Sequence, residues 1–184
     1  MISIMNNRKT PSDVHLLIEK MVKGSVTERR AAIRQLELRG KSAVPEIIVV
    51  TTSRDPEVRR EAADLLGRIK DESSIPILID MLEDPKFEVR WRASESLFNM
   101  GRASLVPLLE ELTKRERFGS AWFLDSVHHI LKRMNEKGYL GPSIEVLEAL
   151  EGPYREETVP WAAERALELL LRRPQYLVHE YVHP

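Results

Sequence analysis

Apolar residues recur along this chain at helical spacing, and the recurrence itself repeats. Val58, Ala62, Leu65, Leu66 and Ile69 fall on one face of a 3.6-residue helix. Val58, Ala62, Leu66 and Ile69 return 31 residues later as Val89, Ala93, Leu97 and Met100. Pro45, Pro76 and Pro107 keep the same 31-residue interval. Self-similarity with a period of about 20–50 residues is the signature of a stacked repeat. Each unit holds two helical patterns. Asp55 suits the N-cap of the first, helix A, and Pro56 suits its first turn, where a missing N–H costs nothing. The pattern recurs with Asp84 and Pro85, although Lys86 and Phe87 are inserted before Val89. Ser73 or Ser74 is expected to cap the second, helix B, with Pro76 near its start and Ile75, Leu78, Ile79 and Leu82 on one face. Neither helix can bury its apolar face alone, so stacking on neighbours must supply the core.

Carried along the chain, the pattern predicts an all-α, right-handed α-solenoid of about eleven helices: a leading B-type helix and five A/B pairs. Residues 1–10 are expected to be disordered, and 11–184 to form a single repeat domain. Its units fall at about 11–24 (a half-unit), 25–53, 54–83, 84–115, 116–152 and 157–184. The fourth A helix is expected from about Phe118 to Met134, and the fifth from Pro160 to about Arg172. The stretch EGPYREET between units reads as a linker, and QYLVHEYV after Pro174 as a last short helix. Prolines at 11, 45, 76, 107, 142 and 174 mark one place in successive units.

Composition narrows the chemistry. With 184 residues the chain can bury roughly 70 % of its unfolded surface in one domain. Lys plus Arg is 28 and Asp plus Glu is 29, a net charge of −1, which argues against a general nucleic-acid binder. No cysteine is present, which removes disulfides, thiol nucleophiles and zinc–thiolate sites. No signal-peptide core and no run of 18 apolar residues is present, so a cytoplasmic, non-membrane protein is the default expectation.

Two residues beyond Val58, about 200° around the helix, is Arg60. Its counterparts are Arg29, Trp91, Trp122 and, with a longer spacing, Trp161, so all three tryptophans share this column. Two turns further on the column continues as Gly67, Phe98, His129 and Glu168, with Asp125 one turn from Trp122. Two readings stand: the rings tuck between neighbouring helices, or they present an aromatic surface for a partner. Arg59 and Arg90 recur beside the core face, where Asp55, Asp84 or loop carbonyls would satisfy them. His128 falls at the edge of the core face.

The run VRREAADLLGRIKDESSIPILIDML, followed by DPKFEVRWRAS, resembles the short HEAT-like repeats of the phycobilin-lyase type. The shared tokens are D-P, V-R, A, L-G and (I/V)-P-x-L, and they imply a fold rather than an activity. A relative in fold, deoxyhypusine hydroxylase, takes its di-iron ligands from His-Glu pairs in helices similar to V-R-H-E-A-A. Here the match is Val58-Arg59-Arg60-Glu61-Ala62-Ala63, with arginine in place of the histidine. No A helix keeps a His-Glu pair, so the resemblance implies no di-iron site. His179-Glu180-Tyr181-Val182-His183 matches the zinc-protease pattern HExxH, yet no downstream third ligand follows before Pro184. It reads as fortuitous, with at most adventitious metal binding by His179 and His183.

The expectation is therefore a non-enzymatic interaction or scaffold module with no catalytic residues, cofactor or metal. Arg29, Arg60, Trp91, Phe98, Trp122, Asp125, His129 and Trp161 would form the partner-binding face for a protein or peptide. Alternatives are a tetrapyrrole- or small-molecule-handling protein like phycobilin lyase subunits, with Arg29 and Arg60 gripping carboxylates, and a HEAT-like DNA glycosylase using Trp122 and Asp125.

Overall fold

A computed structural model describes residues 13–114 and 121–172. Ten α-helices and no strand occur among the described residues. They are α1 (Asp13–Lys23), α2 (Val26–Arg39), α3 (Val44–Val50), α4 (Pro56–Ile69), α5 (Ile75–Asp80), α6 (Phe87–Asn99), α7 (Leu105–Leu112), α8 (Ala121–Glu136), α9 (Ile144–Glu151) and α10 (Arg155–Arg172). Long A helices (α2, α4, α6, α8) alternate with short B helices (α3, α5, α7, α9), each entered through a 3₁₀ turn. The element after Pro174 and the segment 1–10 lie outside the described residues.

Local chemistry sets each start and stop. Ser25 and Glu28 form a capping box at α2, the Ser25 amide donating to Glu28 Oε2 at 2.9 Å. Asp55 accepts the Glu57 amide at 2.9 Å and Pro56 opens α4. The turn before α5 is capped by Asp71, which accepts the Ser73 amide at 2.9 Å, rather than by Ser73 or Ser74. The buried Ser74 hydroxyl instead donates to the Asp71 carbonyl. A carboxylate outcompetes a hydroxyl as acceptor for an exposed amide. Left-handed residues then end successive A helices: Gly40 (φ 57°), Lys70 (φ 55°) and Gly101 (φ 61°).

The inferred core face is the buried one. Val58, Ala62, Leu66, Val89, Ala93 and Leu97 are fully buried, while Ile69 and Met100 pack at its margin. The largest helix pair is α4 with α6, followed by α1 with α2, and α6 then stacks on α8. The final unit departs from the expectation. The helix begins at Arg155, not at Pro160, and Pro160 is buried within it. The Tyr154 carbonyl accepts the amides of Glu157 and Thr158, each at 3.0 Å, so the supposed linker supplies the first turn. Only the first four amides of a helix lack a helical acceptor, and Pro160 lies just beyond them, so the Glu156 carbonyl forgoes the bond that an amide at 160 would give it. This helix packs on α7 and α9.

Candidate functional site

The Phe87–Trp91 spacing of i, i+4 places both rings on one face of α6, with Ser94 three residues on. Trp122, Asp125, Ser126 and His129 likewise share a face of α8. The two faces meet across a half-open groove of roughly 220 Å³ lined by these residues together with Arg90. Trp91 is 43 % exposed and Trp122 48 %. The Phe87 and Trp91 rings are 6.1 Å apart at 33°, and Trp91 lies 4.7 Å from the His129 imidazole at 40°. Both are tilted packings of the kind aromatic quadrupoles favour. The Arg90 guanidinium lies 4.5 Å from the Trp122 ring centroid, a cation–π stack.

Most of the charge around the groove is matched. Asp125 accepts from Arg155 Nη1 at 2.7 Å. Glu95 accepts a short hydrogen bond from Arg133, whose guanidinium also lies 3.9 Å from the Phe98 ring centroid. His129 Nε2 is 3.6 Å from Glu95, too far for a hydrogen bond, and it is buried without another acceptor or donor. Arg90 Nη1 donates to the Asp84 carbonyl at 2.8 Å. The Asp84 carboxylate is claimed by Arg59 and by the Lys86 amide. Burial opposes its ionisation, yet the Arg59 hydrogen bonds and the Lys86 amide hold its carboxyl below the usual aspartate value.

The tryptophan column is thus divided. Trp91, Trp122, Asp125 and His129 converge, and Phe98 sits one turn-pair along on α6 beneath Arg133. Arg29 and Arg60 do not line this groove. Arg29 lies 4.0 Å from Glu61, whose carboxyl burial lifts above its ordinary value. Arg60 bonds Glu57 on its own helix at 3.0 and 2.5 Å, and that pairing raises the guanidinium pKa further. Trp161, on α10, is 66 % exposed but is not among the groove residues. Gly67, placed by the sequence on the same exposed column, is buried against Ser96 of α6. The reason is close helix approach: a Cβ at Gly67 would stand 2.4 Å from Ser96 Cβ. Phe87, Arg90, Ser94 and Ser126 join the face although the sequence reading does not assign them to it. The i−4 spacing of Phe87 from Trp91 is the signal that could have found the first. His128, as its position suggests, sits off the groove and pairs with Glu151 at 3.1 Å. His179 and His183 lie outside the described residues, and no cluster of three metal-ligating side chains occurs among the described ones. No described helix is long and apolar enough to cross a membrane.

Comparison with known proteins defines the class. A family model of HEAT repeats matches residues 14–97 and 44–122, which together cover more than half of the chain. The chain belongs to the HEAT-repeat family. Among solved structures it is similar to the complex of CpcE and CpcF of phycocyanin lyase from Nostoc sp. PCC7120. The TM-score is 0.46 and the identity 22 %, over 96 % of this chain and 72 % of that one. No curated protein matches the chain.

Proposed function

We propose that this chain is a non-catalytic protein-binding module whose recognition surface is the α6–α8 groove. The observation carrying this reading is the convergence of two half-exposed tryptophans, with Phe87, on one groove. Rigid aromatic side chains around a concavity are the usual anchors of a protein interface. The volume of roughly 220 Å³ suits one or two partner side chains. It lies below the ~300–1,000 Å³ of pockets that enclose a drug-sized ligand, which counts against an engulfed tetrapyrrole. Asp125 is committed to Arg155, and the net charge is −1, both unfavourable to nucleic-acid chemistry at Trp122.

A photo-crosslinking amino acid in place of Ser94 in the full chain tests this in cells. We expect one dominant crosslinked polypeptide. It should disappear when Trp91→Ala or Trp122→Ala is added, each losing at least about 2 kcal/mol of binding, roughly thirtyfold. Thermal midpoints should stay near the parent's. A crosslink that survives both tryptophan changes, or none at all, defeats the reading.

A further inference from the structure

Arg59 and Arg90 occupy one position in successive repeats, and the molecule treats them alike on one side and differently on the other. Each donates Nη1 to the carbonyl six residues earlier, Arg59 to Ser53 at 2.7 Å and Arg90 to Asp84 at 2.8 Å. The second edge of Arg59 closes on a carboxylate of the next repeat: Nε and Nη2 reach Asp84 at 2.6 and 2.9 Å. This is the fork-to-carboxylate geometry that guanidinium favours. The same edge of Arg90 makes no hydrogen bond to any described residue, and neither of its nitrogens is buried. The guanidinium lies over the Trp122 ring, 4.5 Å from its centroid, and 5.8 Å from the Phe87 centroid. A stacked guanidinium has lost much of its rotamer freedom before any ligand arrives, which lowers the entropic cost of binding.

The neighbouring acids cannot serve it. Asp84 is held by Arg59, Asp125 by Arg155 and Glu95 by Arg133. Arg90 adds its charge to those that keep the Asp84 carboxylate ionised, but it makes no hydrogen bond to a carboxylate among the described residues.

We infer that Arg90 is a carboxylate receptor. The partner is an acidic-aromatic peptide segment: an Asp or Glu side chain forks onto Nε and Nη2 of Arg90, and an adjacent aromatic or large aliphatic side chain enters the groove between Trp91 and Trp122. This rests on the protein-binding reading above and gives that partner its chemistry. A phosphorylated residue is the competing anion. It carries nearly two charges, however, and meets one unpaired guanidinium with the Asp125 carboxylate at the same groove. The internal precedent, Arg59 on Asp84, is a carboxylate.

The test uses the full chain, with the indole N–H signals of Trp91 and Trp122 as reporters in nitrogen-15 NMR. The probes are the peptides acetyl-Gly-Glu-Phe-Gly-amide, its Gln counterpart and its phosphoserine counterpart. The Glu peptide should shift both indoles and bind about tenfold more tightly than the Gln peptide, an advantage that shrinks as salt is raised. Arg90→Gln should abolish the difference between them. Arg90→Lys, which keeps the charge but not the fork, should restore only part of it. If Arg90→Gln fails to fold by circular dichroism, the Glu-to-Gln comparison on the unaltered protein still decides. Equal binding of Glu and Gln peptides overturns the carboxylate assignment and leaves the protein-binding reading standing. A phosphoserine peptide tighter than the Glu peptide overturns it in favour of phosphate. No indole shift with any peptide also overturns it, and the crosslinking experiment then judges the protein-binding reading alone.

Discussion

Two junctions between A helices are built from the same repeat and turn out opposite. At α4–α6 the column positions are Arg60, Ala63 and Gly67; one unit later, facing α8, they are Trp91, Ser94 and Phe98. The first junction is a closed seam. Ser96 Oγ donates to the Ala63 carbonyl at 2.8 Å, and Gly67 lets the backbones meet. The second carries rings, Trp91 and Phe98, where the first has Arg60 and the hydrogen of Gly67, and it opens into a groove. The arginine beside each junction follows suit: Arg59 is saturated by Asp84, while Arg90 is left with a free edge. The clearest difference in side-chain volume falls at one column position, Gly67 against Phe98, where the sealed interface has room for no more than a hydrogen.

The largest effect should fall on what both junctions share. Leu66→Ala and Leu97→Ala each empty a fully buried site on the common core face and should cost about 2–5 kcal/mol. Chemical denaturation of the two variants would check this. A much smaller loss at Leu97 than at Leu66 would mean that the groove side of the solenoid is also loosely packed, and the contrast would then extend into the core.

Next comes the clamp that only the sealed junction has. The Arg59 side chain is 12 % exposed and that of Asp84 8 %, so Arg59→Ala strands a buried carboxylate and should cost about 3 kcal/mol. Arg60→Ala, which loses only the local bond to Glu57, should cost under about 1 kcal/mol. The pH dependence has a definite sign. The folded Asp84 carboxyl is shifted down, so its contribution is complete above the unfolded value of about 3.9. It is lost as pH falls from there through the folded value. Arg59→Ala should therefore flatten the acid limb of the stability curve below about pH 4 and leave its shape from pH 5 to 8 unchanged. Urea midpoints across that range would show it. A changed slope near neutrality would mean that another group supplies the pH dependence.

Much of this architecture is legible in sequence because periodicity reports which face of a helix is apolar. Val58, Ala62 and Leu66, and their echoes one unit on, have the spacing of a core face and are fully buried. The prolines at 45 and 76 mark helix starts because a missing amide is harmless there. What periodicity does not report is the distance between two helices, and several misplacements follow from that. Gly67 has the angular position of an exposed residue but is covered because α6 comes close enough to cover it. Trp161 has the angular position of Trp122, but α10 packs on α7 and α9, so its ring does not join the groove. Arg29 and Arg60 align with the tryptophans, yet nearby Glu61 and Glu57 claim them. Pro160 has a different cause. A proline suits a helix's first turn, as Pro56 does in α4, but here the turn at 155–158 has already formed one.

The finest test of the comparison is Gly67→Ala. In an exposed helix interior this substitution stabilises by about 1 kcal/mol, because glycine is the more costly residue to order. In α4 the new Cβ would stand 2.3 Å from Ser96 Oγ and 2.8 Å from Ser96 Cα. The hydroxyl could rotate away at the loss of its bond to the Ala63 carbonyl. The α-carbon of Ser96 is backbone, however, and that clash can be relieved only by moving α6. Overpacking of this kind costs about 1–3 kcal/mol, so the net change should be a destabilisation of roughly 1 kcal/mol, with its sign opposite to the helix-propensity expectation. Paired with Ser96→Gly, which removes the Oγ and Cβ contacts but keeps the Cα one, the loss should shrink only in part, a coupling that a double-mutant cycle in urea would read directly. A Gly67→Ala protein more stable than the parent would show that the α4–α6 seam has room to spare. Sealing and opening of the two junctions would then need a cause other than side-chain volume.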